Sequence, residues 1–166
     1  MNNDLSKIDL HNVEAISEYL LGVIPQRAPF RFIDRVLEID TDHIVGEYTF
    51  RHDEMFYAGH FPQQPVTPGV ILIEAMAQTG VVAFGLYLKL LEKLGNPPSA
   101  AANLLTVFTE VEAEFHGAVH PGDRVVIKAE KIYWRRNKLK ARASMYRGNN
   151  ELVATATLAG IGVEKI

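Results

Sequence analysis

Val66-Thr67-Pro68-Gly69-Val70-Ile71-Leu72-Ile73-Glu74-Ala75-Met76-Ala77-Gln78-Thr79-Gly80-Val81-Val82-Ala83-Phe84-Gly85-Leu86-Tyr87-Leu88-Lys89-Leu90-Leu91 is a run with no equally apolar counterpart in the chain. On length alone it resembles a membrane span, which needs about 20 residues. Glu74 and Gln78 lie inside it, however, and it opens on Pro68-Gly69. A carboxylate near the centre of a membrane helix would cost at least ~2.5 kcal/mol. A helix buried in protein and apolar on nearly all sides fits better. From Pro68 to about Leu91 it would run roughly 36 Å at 1.5 Å per residue, so it needs a large cover.

The other segments supply that cover. Phe32 to Ile39 and His43 to Phe50 read as strands around the turn Asp40-Thr41-Asp42, a hairpin pattern. After the breaker Gly95-Asn96-Pro97-Pro98-Ser99 come Leu104 to Phe108, Val111 to Phe115 and Arg124 to Trp134, all β-branched or aromatic. Leu139, Ala141, Ala143 and Met145 alternate with Lys138, Lys140, Arg142 and Ser144, the period of a strand with one wet face. Within 124–134 the apolar phase changes after Ala129, which predicts a bulge near Lys131. Leu152 to Val163 closes the set after Gly148-Asn149-Asn150, and an amphipathic helix over Val13 to Leu21 precedes it. Sequential hairpins plus one long apolar helix imply an α+β fold, an antiparallel sheet curled around that helix.

The 166 residues fit one domain over 1–166 with a short N-terminal helical extension, leaving no room for a separate cofactor domain. Hydrophobic residues make up 48% and charged residues 22%, a globular balance rather than a disordered one. Seventeen Lys and Arg against twenty Asp and Glu give a formal charge of −3. Attraction of the whole molecule to nucleic acid or anionic membrane is therefore not expected, and any basic site must be local. The chain has no cysteine, which excludes disulfides, thiolate nucleophiles, Cys-ligated zinc and Cys-ligated iron–sulfur clusters. Met1-Asn2-Asn3-Asp4-Leu5-Ser6-Lys7 lacks the apolar core of a signal peptide, so a cytoplasmic location is expected.

Chemistry concentrates where a stiff loop enters the long helix, Gly59-His60-Phe61-Pro62-Gln63-Gln64-Pro65-Val66-Thr67-Pro68-Gly69. Three prolines with fixed φ leave that loop little freedom and can hold His60 in one place. Thr67 followed by Pro68 reads as an N-cap and a first helical proline. The amides of Gly69, Val70 and Ile71 then lack helical acceptors at the positive end of the dipole, where an anionic oxygen would be stabilised. The absence of a side chain at Gly69 would allow a ligand close approach. Glu74 is surrounded by Ile71, Leu72, Ile73, Ala75 and Ala77, with Gln78 one turn on along the same face. Desolvation should raise the pKa of such a carboxyl and suit it to donate a proton, with His60 as the complementary base. Each residue taken singly is more often structural; their occurrence together is the functional signal.

Gly59-His60-Phe61-Pro62-x-x-Pro65-x-x-Pro68-Gly69-Val70 followed by Glu74-Ala75-Met76-Ala77-Gln78 resembles the β-hydroxyacyl-acyl-carrier-protein dehydratases. Pro25-x-Arg27-x-Pro29-Phe30, Ile33-Asp34-Arg35-Val36 and the segment from Phe115 to Gly122-Asp123 extend the likeness over roughly residues 20–163. The resemblance implies a hot-dog fold assembled as a homodimer or a higher oligomer, with His60 and Glu74 contributed to each active site by opposite subunits. It implies elimination of water from a β-hydroxyacyl thioester on acyl carrier protein, giving the trans-2-enoyl product, with no metal or organic cofactor. His60 and Glu74 are the catalytic residues it points to. Gly69, Val70, Phe61 and Gln78 are the expected substrate contacts, with Gln78 also orienting Glu74. The sequence departs from the family pattern at Gln63, usually Gly, at Thr67, often Met, and at Gln26-Arg27-Ala28, where His-x-Tyr is usual. A related subgroup that also isomerises the double bond has Asp at the helical position, so Glu74 favours dehydration alone.

His116-x-x-x-His120 has a spacing that binds metal on a helix, but Gly117 and Pro121-Gly122 place it at a strand end or turn. Arg135, Arg136, Lys138 and Lys140, with Arg124 and Lys131 nearby, form a dense basic cluster that reads first as a solvated hairpin. Acyl carrier proteins are acidic and the matching family region contacts them, so Arg135, Arg136 and Lys138 are the docking candidates. The competing classes are a hot-dog thioesterase and a noncatalytic acyl-binding hot-dog subunit.

Overall fold

The computed structural model describes residues 9–95, 104–148 and 150–164. Asn12 caps helix α1 (Val13–Val23) by accepting from the Glu14 and Ala15 amides, and Ile16, Ser17 and Leu20 turn inward. Two strands follow, β1 (Arg35–Ile39) and β2 (His43–Thr49). The long helix comes next as three joined parts: α2 (Gly69–Ala77), a π-helical segment (Gln78–Ala83) and α3 (Phe84–Gly95). Four long strands complete the chain: β3 (Leu104–Phe115), β4 (Arg124–Arg135), β5 (Lys138–Arg147) and β6 (Glu151–Glu164). All six strands form one antiparallel sheet in the order β1-β2-β4-β5-β6-β3. The sheet curls around the long helix, which is the predicted α+β, hot-dog arrangement.

The helix is long and apolar enough to cross a membrane, but it is mostly buried inside the protein, as the core of this sheet. Close approach rests on small residues. A Cβ on Gly80 would lie 2.9 Å from the Ala129 Cβ, and one on Gly160 would lie 2.8 Å from Val81. All six residues of the π segment are buried, and the Phe84 amide reaches back to the Thr79 carbonyl, the i→i−5 bond of a widened turn. An α-helix from Pro68 to Leu91 was the expectation. The π segment interrupts it, and the helical run extends to Gly95.

Strand predictions hold with two main adjustments. β1 starts at Arg35 rather than Phe32 because the Phe32 amide is committed to the Gln78 side chain instead of a ladder. The two short strands expected over 104–115 are one, since a bulge between Phe108 and Glu110 absorbs the break in pattern. The bulge expected near Lys131 is present between Lys131 and Tyr133. On β5, Leu139, Ala141, Ala143 and Met145 are all buried, as their alternation requires. Arg136 and Asn137, both with positive φ, make the two-residue β4–β5 turn. The expected breaker at Asn96–Ser99, the chain start at 1–8 and Asn149 lie outside the described residues.

Candidate active site

The loop that carries His60 leaves β2 through a dense set of contacts. Tyr48 donates to the Glu54 carboxylate, which also accepts the Arg51 amide at 3.2 Å. Arg51 in turn reaches Asp34 at 2.6 Å. Phe56 lodges among Phe32, Phe50 and Tyr57 in edge-to-face contacts. From that anchor the chain makes a tight turn, with the Gly59 and His60 amides both donating to the Phe56 carbonyl. The Val66 amide then donates to the His60 carbonyl at 3.3 Å, while His60 Nδ1 lies 2.8 Å from the Val66 carbonyl oxygen. A carbonyl only accepts, so Nδ1 carries the hydrogen of the neutral ring and Nε2 keeps a free lone pair.

Thr67 does not cap the helix. Its hydroxyl is 2.6 Å from the Tyr57 hydroxyl and its amide donates to the Val119 carbonyl at 2.8 Å. Pro68 becomes the N-cap, with no side-chain cap bond. The amides of Gly69 and Val70 therefore keep their donors for a ligand, which strengthens the anion-binding reading there, whereas the Ile71 amide, expected to be free, donates to the Pro68 carbonyl at 2.9 Å. The role of the glycine itself differs from expectation. The space where a Cβ would sit on Gly69 is occupied by the Phe115 ring, 2.9 Å away, so the missing side chain serves the packing of β3's end on the helix start. Val70 and Phe61 are 70% and 58% exposed, two apolar side chains open to solvent.

Glu74 is half-buried, and burial pushes its carboxyl above the usual carboxylate range, opposed by a hydrogen bond from Gln78. Gln78 is fully buried and fully engaged. Its Nε2 donates to Glu74 Oε1 at 2.8 Å and to the Phe30 carbonyl at 2.9 Å, while its Oε1 accepts the Phe32 amide at 2.6 Å. These partners fix the amide's orientation, and with it the carboxyl's. Among the described residues, no hydrogen bond joins His60 to Glu74 within one protomer. The structure thus brings Glu74 and Gln78 together, and ties His60 to the helix start through Val66.

Of the docking candidates, Arg135 and Arg136 sit at the β4–β5 turn, whereas Lys138 bonds Glu110 of β3 at 2.7 Å together with Lys140. The two ammonium groups hold the Glu110 carboxyl down at about 2. His116 and His120 bond separately, to the Thr155 hydroxyl and the Pro65 carbonyl. Among the described residues no group of three or more His, Cys, Asp or Glu could hold a metal ion. Tyr57, Val119 and Phe115 are the participants that sequence reasoning missed. Each meets the motif only through the fold.

The sheet wrapped on a buried helix places the chain among hot-dog proteins. The dehydratase heterocomplex ApeI:P from Xenorhabdus doucetiae is similar at a TM-score of 0.70 and 16% identity, over 88% of this chain and 91% of that one. A thioesterase from Haemophilus influenzae reaches 0.58 at 14% identity over 95% and 94%. Likeness at these identities concerns the fold alone. The FabA-like domain model matches residues 24–157, and the chain belongs to that family. The 3-hydroxyacyl-acyl-carrier-protein dehydratase FabZ of Syntrophobacter fumaroxidans is 38% identical over 151 residues, 88% of this chain and 93% of the relative.

Proposed function

We propose that this chain removes water from β-hydroxyacyl thioesters borne on acyl carrier protein, yielding trans-2-enoyl thioesters for fatty acid or related acyl-chain synthesis in the cytoplasm. The observation that carries the reading is a pair of groups preset for opposite proton transfers. His60 offers the Nε2 lone pair because Val66 holds its Nδ1 hydrogen; Glu74 is biased toward its protonated form by burial. His60 takes the proton α to the thioester carbonyl, whose oxygen gains charge against the Gly69 amide and the helix start. The C–O bond at the β carbon breaks as Glu74 protonates the departing hydroxyl, and water leaves. Proton exchange with solvent returns histidine and carboxyl to their starting forms. Gln78 orients Glu74, while Val70 and Phe61 contact the acyl chain. The whole cycle uses side chains and backbone, with no cofactor.

The reading includes a homodimer. β3 ends the sheet and exposes Leu105, Val107, Phe108, Val111 and Phe115 beside Glu110, Glu112 and Glu114, a long edge with a partly apolar surface that the same strand of a second copy could pair with. In that dimer His60 of one protomer would serve the same site as Glu74 of its partner, as the family resemblance implies, each chain being one hot-dog unit and half of each site. Arg135 and Arg136 receive the acidic carrier, with Lys138 contributing alongside Glu110.

The test is incubation with hydroxyacyl-carrier-protein substrates of several chain lengths, following water loss and double-bond position by mass spectrometry. Wild type forms the trans-2-enoyl product, and His60→Ala and Glu74→Ala each lose about 10²–10⁴-fold in rate. Absence of enoyl product, or full activity in both variants, overturns the reading. Release of free acid would make the chain a thioesterase instead.

A further inference from the structure

Between Tyr57 and Thr67 the chain leaves the aromatic core, carries His60 to the mouth of the site and returns to start α2. The two ends of this excursion are joined by one hydrogen bond, Tyr57 hydroxyl to Thr67 hydroxyl at 2.6 Å. Both residues are buried, at 6% and 4% exposure. The Tyr57 ring is braced by Phe56, 4.7 Å between centroids, and Phe56 belongs to the cluster with Phe32 and Phe50. Thr67 is held at its other polar group as well, its amide on the Val119 carbonyl. It stands between two functional neighbours. Val66, before it, supplies the carbonyl that receives His60 Nδ1–H. Pro68, after it, opens the helix whose first free amides are those of Gly69 and Val70. Any rotation of Thr67 therefore moves the histidine's acceptor relative to the helix start.

We propose that the Tyr57–Thr67 hydrogen bond sets the position and tautomer of the His60 ring against the first amides of α2, which makes Tyr57 and Thr67 positioning residues for the base. The inference rests on the dehydratase reading for its kinetic consequence only. Position 67 is one where this sequence departs from the family motif, so the bond belongs to this chain's own residues. Two apolar replacements together leave no buried polar group without a partner, and such a pair of changes is nearly neutral for stability. That separates positioning from mere support.

The experiment compares Tyr57→Phe, Thr67→Val, their double variant and Thr67→Ser, by kinetics, thermal unfolding and ¹⁵N NMR of labelled histidine. Each single loss of a hydroxyl lowers kcat about 10- to 100-fold, the scale of a 1 Å misplacement, with KM changed little. The double variant regains wild-type thermal stability yet stays as slow as the singles, and Thr67→Ser recovers most of the rate. In the NMR spectra the His60 nitrogens show a protonated Nδ1 and a free Nε2 in wild type and lose that distinction in Tyr57→Phe. Unchanged His60 nitrogen signals in the double variant overturn the proposal. So does a rate that returns together with stability. Because the NMR arm needs no substrate, it decides the role of the bond even if the wild type forms no enoyl product, an outcome that would instead overturn the dehydratase reading.

Discussion

The burial that suits Glu74 to its proposed role as a proton donor also has a cost in stability. Burial raises its pKa in the native state above the unfolded value, so the native form retains a proton that the unfolded chain releases. Stability from this group is greatest below about pH 4.3, the ordinary glutamate value. It declines as pH rises toward the native pKa, and above that the full desolvation penalty stands. Glu74→Gln removes the charge and keeps an acceptor for Gln78 Nε2. It should therefore be more stable than wild type at neutral pH, by a margin that closes on acidification, while kcat falls about 10²–10⁴-fold. Denaturant midpoints across pH check the sign; a less stable variant at neutral pH would count against it. Glu74 and Gln78 were legible because a four-residue spacing on a helix is local, and His60 because prolines follow it closely. Thr67 was misread for the complementary reason. A threonine before a helix ordinarily caps it, and the partners that claim it, Tyr57 and Val119, arrive only with the folded loop and the segment between β3 and β4.

At the level of elements, the alternation of β5 and the bulge in β4 were readable because side-chain parity within a strand records them. The π segment was not, since a five-residue hydrogen-bond step leaves no distinctive residue pattern in an apolar run. What the sequence does contain is the glycine that lets this segment touch the sheet. Gly80 and Gly85 sit five residues apart on the same helix and face different constraints. A Cβ at Gly80 meets the Ala129 Cβ at 2.9 Å, an atom fixed to strand backbone, whereas at Gly85 the nearest atom is 3.8 Å away. Gly80→Ala should destabilise by about 1–3 kcal/mol through overpacking. Gly85→Ala should stabilise by up to about 1 kcal/mol from helix propensity. Urea unfolding of the two variants gives opposite shifts in midpoint, and equal shifts would mean the helix does not pack on β4 through Gly80.

Across the whole molecule, the formal charge of −3 leaves recognition of an acidic carrier to a small area. Arg135 and Arg136 sit at the β4–β5 turn, and the lysines that follow them, Lys138 and Lys140, are bound by Glu110. Replacing both arginines by glutamate should lower kcat/KM for carrier-borne substrate about tenfold or more, with little effect on a small thioester analogue. Glu110→Gln should raise it, and the gain should shrink as salt rises. Equal effects on both substrates would remove the patch from docking. The sheet also has two unlike ends. β3 is a twelve-residue strand that exposes Leu105, Val107, Phe108, Val111 and Phe115 beside Glu110, Glu112 and Glu114, whereas β1 has five residues and exposes Arg35 and Glu38. In the proposed dimer two β3 edges would meet and leave a short charged strand at either extremity of the joined sheet. The asymmetry between the two edges would then limit that sheet to two chains, the difference between a finite particle and a fibre.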